Sequence, residues 1–387
     1  SAIKVIVHSV SASLIGDISV TEIGTYNTGD IDIDQFEVAS SPDKRRWVIL
    51  GFGTAGQRTR EALGTEVWML RADVDGGEAR SSFILTSERW SPADLTWKSV
   101  VLDDSGKVFA IYEDKDYGGT GLLGGHKQLN HFHWVKSGGD SLMRGDLVVE
   151  GDVLDAVAVL HTKTQALQVF GYYNAGKGVG MDGYFIGEFG DDGQIATSNH
   201  PFTESAAKQF MGLGSLKRNE RPDNYHIRNV VALSNGGWLM LSEQFYESRQ
   251  METYYVNGVP QTSSKLFYHY GDIAMQYLQK DGTLDSLIMV RKTQVGAVNV
   301  AHLFGFGMYV CGSSINLLYN DDEGEINRIM HVKIDKSFKV ERDWLFRNEN
   351  TPGTIVPYEG KQTDYGLITL PIYRDKQWFW LQVFSND

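Results

Sequence analysis

The strongest constraint on this chain is a repeated alternation of short β-prone runs with turns rich in Asp, Asn and Gly. Val100-Val101-Leu102 leads through Asp103-Asp104-Ser105-Gly106 into Val108-Phe109-Ala110-Ile111-Tyr112. The same plan recurs around Ser234-Asn235-Gly236-Gly237 and Gln279-Lys280-Asp281-Gly282, with further turn signals at 73–77, 191–193 and 321–324. Asp and Asn tolerate left-handed backbone and Gly occupies it freely, so these spacings predict hairpins. Trp47-Val48-Ile49-Leu50, Val67-Trp68-Met69-Leu70 and Trp378-Phe379-Trp380-Leu381 are apolar on both faces, where a half-solvated sheet would alternate. Two-sided burial is what stacked propeller blades require.

The expected fold is therefore all-β: a β-propeller of about six four-stranded blades, with a seventh left open. First strands are placed at Phe36–Val38, Trp97–Val101, Leu154–Val159, Ile227–Val231, Val298–Ala301 and Tyr365–Ile368. The last unit has room for two strands only. Pairing it with the spare N-terminal runs Ile3–Val7 and Ile18–Thr21 would close the ring and remove both edges. One helix is expected near Thr203–Met211, where Phe202, Ala206 and Phe210 recur at helical spacing. No linker divides the chain, so residues 1–387 read as one domain carrying a hairpin insertion at about 247–267.

Composition narrows the function classes. Asp and Glu number 49 against 36 Lys and Arg, a formal charge of -13, which repels phosphate backbones and anionic lipid heads. Nucleic acid is thus not an expected partner, and no run is long and apolar enough for a membrane span. The single cysteine, Cys311, lies in the apolar run Met308–Cys311 and reads as a buried, inert thiol. The chain opens at Ser1 without a basic-then-apolar leader; either a signal peptide has been removed or the sequence is a cut piece, and the first, which implies export, is the expectation.

Tyr225–Tyr246, Tyr268–Met275 and Lys280-Asp281-Gly282 carry a family resemblance, continued one unit later by Leu318-Tyr319-Asn320-Asp321. The Gly-Gly turn, the Glu-Gln-aromatic-Tyr strand and the tyrosine-rich run before Asp272-Ile273 are similar to those of uncharacterised exported propeller-like proteins of Bacteroidota. The resemblance is strongest over about residues 225–325 and departs in the insertion and the first two units. It implies export and a propeller, and brings no activity.

Three constellations bear on chemistry. His131 and His133 share a face if they lie on a strand, and His126 precedes them across a loop, a pattern open to one metal ion. Packed or hydrogen-bonded strand histidines are commoner, so no metal is assigned. Asp34, Asp155 and Glu243 are conceivable members of an axial glycosidase site, but Asp155 equally suits a strand cap, and no catalytic residue is assigned. Glu243, in an apolar strand, requires a partner such as Arg228. The acidic turns lack the length of a calcium loop, and Gly176–Gly180 opens no helix that would make it a phosphate loop. No cofactor is implied.

The most distinctive segment is the insertion, with Met251, Tyr254-Tyr255-Val256, a turn at Asn257-Gly258, and Val259-Pro260. An isolated two-stranded hairpin is marginal in water and needs support, and aromatic and Met side chains are enriched in interfaces. Tyr254, Tyr255, Val256 and Val259 are the candidates for binding a partner protein, the alternative being a hairpin folded back on its own propeller. The resulting expectation is a non-catalytic exported interaction module or accessory subunit at the cell envelope, with an outer-membrane complex as a candidate partner. The alternative is a carbohydrate-binding or glycoside-cleaving propeller with an axial site and a glycan ligand.

Overall fold

The computed structural model describes residues 4–12, 18–27, 31–55, 65–73, 78–84, 95–116, 129–138, 141–161, 164, 166–176, 180–190, 195–215, 217, 220–257, 259–323, 326–345, 353–364, 366–374 and 376–384. β1 (Lys4–Ala12) and β2 (Ile18–Asn27) form a two-stranded antiparallel sheet. The first four-stranded sheet follows, with β3 (Ile31–Ser40), β4 (Arg46–Ala55), β5 (Thr65–Asp73) and β6 (Glu78–Ile84). The second holds β7 (Leu95–Leu102), β8 (Val108–Asp116), β9 (Leu129–Gly138) and β10 (Ser141–Asp146), and the third β11 (Asp152–Leu160), β12 (Leu167–Asn174), β13 (Gly183–Phe189) and β14 (Ile195–Pro201).

After α1 (Glu204–Met211) comes the fourth sheet, β15 (Tyr225–Ala232), β16 (Trp238–Val256), β17 (Val259–Leu278) and β18 (Leu284–Val290), with β19 (Gln294–Ala297) also paired to β17. The fifth holds β20 (Gly307–Cys311), β21 (Ser314–Glu323), β22 (Ile326–Ile334) and β23 (Val340–Trp344). The sixth holds β24 (Thr354–Ile355), β25 (Lys361–Asp364), β26 (Leu367–Arg374) and β27 (Gln377–Phe384). The chain divides into two compact units, Ser1–Thr203 with the β1–β2 sheet and the first three numbered sheets, and Glu204–Asp387 with the fourth, fifth and sixth.

Within each unit, consecutive sheets share apolar cores. In β8, Val108, Ala110 and Tyr112 pack with the first sheet's Val48, Leu50 and Phe52, while Phe109 and Ile111 pack with the third sheet's Ala156 and Val169. In β21, Leu317 and Tyr319 join the fourth sheet's core and Leu318 the sixth's. The period-two alternation of a strand thus feeds two different neighbours, which explains runs apolar on both faces. Each side chain buried this way contributes roughly 1.5–3 kcal/mol. Repeated four-stranded antiparallel sheets packed face to face are propeller blades, and the fold is an all-β propeller. No helix among the described residues is long and apolar enough to cross a membrane.

The turns are built as their residues dictate. Asp103 N–H donates to the Lys107 carbonyl and Gly106 N–H to the Asp103 carbonyl, and the same pair of bonds closes Leu233–Gly237, Gln279–Thr283 and Asp335–Lys339. This is a type I turn followed by one left-handed residue: Gly106, Gly236 and Gly282 take φ of 87°, 84° and 84°.

Two expected first strands are corrected. Val298–Ala301 belongs to a 3₁₀ helix, Val298–Leu303, closed by Phe304 N–H on the Ala301 carbonyl at 3.1 Å. Its alternating valines imitate a strand, but the chain must turn back here, with Gly296 pressed on the Phe304 ring. The fifth sheet instead starts at β20, the run that contains buried Cys311. Tyr365–Ile368 overlaps β26, which lies inside its sheet, with β24 and β25 along one edge and β27 along the other. β24 is two residues long and cut off by Pro357, too short to register as a β-prone run. The expected pairing of first and last strands is absent from the described pairings: β1 pairs β2 and β27 pairs β26.

Candidate functional site

In the second unit, an ionic cluster forms around Glu243. β15 and β16 slip register between Ile227 and Asn229, so Arg228 is the extra residue of a β-bulge. A bulge re-aims its side chain, and the Arg228 Nε comes to 3.4 Å from Glu243 Oε2. Lys292 Nζ lies 2.7 Å from Glu243 Oε1, and the Tyr358 hydroxyl donates to Oε2. The Arg228 guanidinium also stands 4.9 Å from the Tyr358 ring centroid. Glu243 and Lys292 are buried, and burial lowers the Lys292 pKa while the Glu243 charge opposes the shift. The Tyr358 hydroxyl is pushed well above its usual value, first by burial and then by the Glu243 charge.

The network runs on from there. Lys292 Nζ donates to Gln294 Oε1 at 2.7 Å, and Gln294 Nε2 donates to the Asn320 carbonyl at 2.6 Å. Asn320 Nδ2 donates to the Ile355 carbonyl at 2.7 Å, and Ile355 N–H returns a bond to Asn320 Oδ1 at 3.1 Å. Charged and amide groups thus join the fourth, fifth and sixth sheets. With its carboxylate sealed and neutralised by two cations, Glu243 is placed to hold these sheets in register.

The first unit repeats the pattern. Lys98 is the bulge residue between Trp97 and Ser99, as Arg228 is in β15. Glu113 pairs opposite Thr96 and Glu243 opposite His226, so each cation lies two residues beyond its carboxylate's cross-strand partner. Lys98 Nζ is 2.9 Å from Glu113 and 3.4 Å from Asp155. Burial pulls the Lys98 pKa down, but the Asp155 and Glu113 charges together raise it above the ordinary value.

Asp155 is therefore an ion-pair member in the first unit and Glu243 one in the second, while the Asp34 side chain lies outside the described residues. The Arg228 partner was legible; Lys292, Tyr358 and the Lys98 group were not. His131 and His133 do share a face of β9, opposite buried Phe132 and Trp134. His133 Nδ1 meets Asp146 Oδ1 at 2.8 Å and its ring stacks on Tyr112 at 5.1 Å. His126 lies outside the described residues.

β16 and β17 pair without a break from Phe245↔Tyr270 to Val256↔Val259. β19 supports only Phe267–Tyr270, so Met251–Val256 and Val259–Ser264 are paired, among the described pairings, with each other alone. Tyr255 is 72% exposed and Val259 60%, with Tyr254 and Met251 also exposed. The side chain of Val256 lies outside the described residues.

These features sit on a propeller-class scaffold, and comparison with known proteins adds the following. No family model and no curated protein matches the chain. Among solved structures it is similar to a protein of unknown function from Dyadobacter fermentans, of the Bacteroidota, at 8% identity and a TM-score of 0.42, covering 92% of this chain and 96% of that one. It is also similar to an α-L-arabinofuranosidase from Lactobacillus brevis at 12% identity and a TM-score of 0.36, covering 87% and 96%. A levansucrase from B. megaterium aligns at 10% identity and a TM-score of 0.35, covering 83% and 86%. None of these likenesses carries an activity to this chain.

Proposed function

We propose that residues 1–387 form a single exported propeller domain that acts as a non-catalytic interaction module at the cell envelope, docking a partner protein through the β16–β17 hairpin. The observation that carries this reading is the exposed set Met251, Tyr254, Tyr255 and Val259 on a hairpin whose outer part pairs with no third strand among the described residues. Aromatic and Met side chains give large contact area at small entropy cost, and they recur at the centres of protein interfaces. The buried ionic clusters favour a rigid scaffold behind that hairpin over a reaction centre.

The test is purification from the native source with mass spectrometry of what co-migrates, repeated with Tyr254→Ala/Tyr255→Ala. A stoichiometric partner lost in the double variant is the expected result. A partner held equally well by the variant would remove the hairpin from the reading, and a chain that migrates alone would remove the reading itself.

A further inference from the structure

A different part of the second unit has the makings of a small-ligand site. Three hairpin turns surround a cavity of about 350 Å³, within the size range of such sites. Asn235 comes from the β15–β16 turn, Gln279 and Lys280 from the β17–β18 turn, and Phe338 from the β22–β23 turn, with Leu233, Tyr277, Leu278 and Asp285 completing the lining. The Tyr277 and Phe338 rings pack together in this lining, their centroids 4.3 Å apart and their planes tilted by 54°.

Phe338 is held there against its backbone preference. Its φ is 64°, the left-handed region that bulky side chains avoid. The first unit supplies an internal comparison, since Asp103-Asp104-Ser105-Gly106-Lys107 and Asp335-Lys336-Ser337-Phe338-Lys339 are the same turn. In both, the Asp Oδ1 accepts bonds from the Ser N–H, at 2.9 and 2.8 Å, and from the Ser hydroxyl, at 2.7 Å in each. It also accepts the Lys N–H, at 2.7 and 3.0 Å. The turn needs a left-handed residue at its fourth position; the copies at 103–107, 233–237 and 279–283 use Gly there, the last two also lining the cavity, and the copy at 335–339 uses Phe. Strain kept at a cavity wall points to a ring that is needed there.

The polar groups narrow the ligand class. Gln279 Nε2 donates to Asp285 Oδ1 at 3.2 Å, which orients the carboxylate. Asn235 Oδ1 accepts the Gly237 N–H at 3.0 Å, leaving the amide nitrogen as a donor. The Lys280 ammonium and the Asp285 carboxylate offset each other in charge, so the rim selects for hydrogen bonding without selecting for net charge. The electron-rich ring faces suit the polarised C–H face of a sugar. We propose that this cavity binds a neutral saccharide, with one sugar ring on the Tyr277–Phe338 pair and its hydroxyls met by Asn235, Lys280 and Asp285. The proposal is independent of the hairpin reading and fails separately from it.

The test is saturation-transfer NMR on the intact chain with xylotriose, cellotriose and maltotriose. Transfer to the C–H protons of at least one sugar is expected. Phe338→Gly should abolish it while leaving the thermal midpoint unchanged or higher, because Gly suits the turn. Asp285→Asn, at an exposed position, should weaken binding about tenfold, the loss of one charge-assisted hydrogen bond. No transfer from any of the three sugars, or undiminished transfer in Phe338→Gly, would overturn the proposal. Should Phe338→Gly misfold, Asp285→Asn and Lys280→Ala decide it, with undiminished binding in both counting against the site.

Discussion

Lys292 Nζ lies 2.7 Å from Glu243 Oε1, with side-chain exposures of 1% and 0%. An ion pair so enclosed is expensive to break from one side, since the remaining charge stays buried without its main counter-charge. Lys292→Met should lower stability by about 3–5 kcal/mol, and adding Glu243→Gln should recover part of that loss. Urea unfolding of the two single variants and the double variant measures the coupling. A cost below about 1 kcal/mol for Lys292→Met would contradict the buried pair.

Gly171, in β12, has no space for a side chain. An added Cβ would stand 2.2 Å from the Phe185 ring and 2.5 Å from the Asp155 carbonyl oxygen, which is backbone and cannot swing away. Gly171→Ala should therefore destabilise by about 1–3 kcal/mol through overpacking. An unchanged denaturation midpoint would show that β11 and β12 are not packed this closely.

His133 should titrate below the ordinary histidine value of 6.5, because burial disfavours its charged form more than Asp146 favours it. Between 6.5 and the lowered folded value, the unfolded chain binds a proton that the folded chain does not. The contribution of His133 to stability therefore falls as pH drops through that window and levels off below it. NMR of the imidazole protons checks the midpoint, and Asp146→Asn should move it lower still. A midpoint at or above 6.5 would refute the assignment.

The outer hairpin should be dispensable for folding. Residues 251–264 pair among themselves, so joining Gln250 to Lys265 by a two-residue Asn-Gly turn removes no described ladder to another strand. Such a chain should unfold within about 0.5 kcal/mol of the parent, as changes away from the core generally do. A larger loss would mean that the hairpin leans on the body of the protein.

What the sequence disclosed follows from how local each signal is. The turn at 103–106 could be read because Asp and Gly are required within four residues of one another, and the helix at Glu204–Met211 because Ala206 and Phe210 mark one buried face. Val298–Ala301 misled because β-branched residues suit a strand, whereas the local path is set by Gly296 and Phe304. Lys98 and Arg228 were hidden for another reason. A bulge shifts the face on which a residue emerges, and its presence depends on the partner strand. Tyr358 reaches Glu243 from 115 residues away, a separation at which sequence pattern carries no information.

The unbroken course of β16 has a mechanical consequence. At about 3.3 Å per residue, its 19 residues reach roughly 60 Å from Trp238 to Val256. The strand is stiffened at its inner end by the core residues Leu239 and Leu241. Its pairing with β17 shifts register between Glu243 and Phe245, and Phe245 N–H is tethered to the Asn224 carbonyl at 2.7 Å. The support of β19 on β17 ends at Phe267, opposite Ser248, so a load applied at the tip would act on the two-stranded stretch beyond that pair. The ionic knot that joins three sheets stands beside the register shift, at the inner end of the same strand.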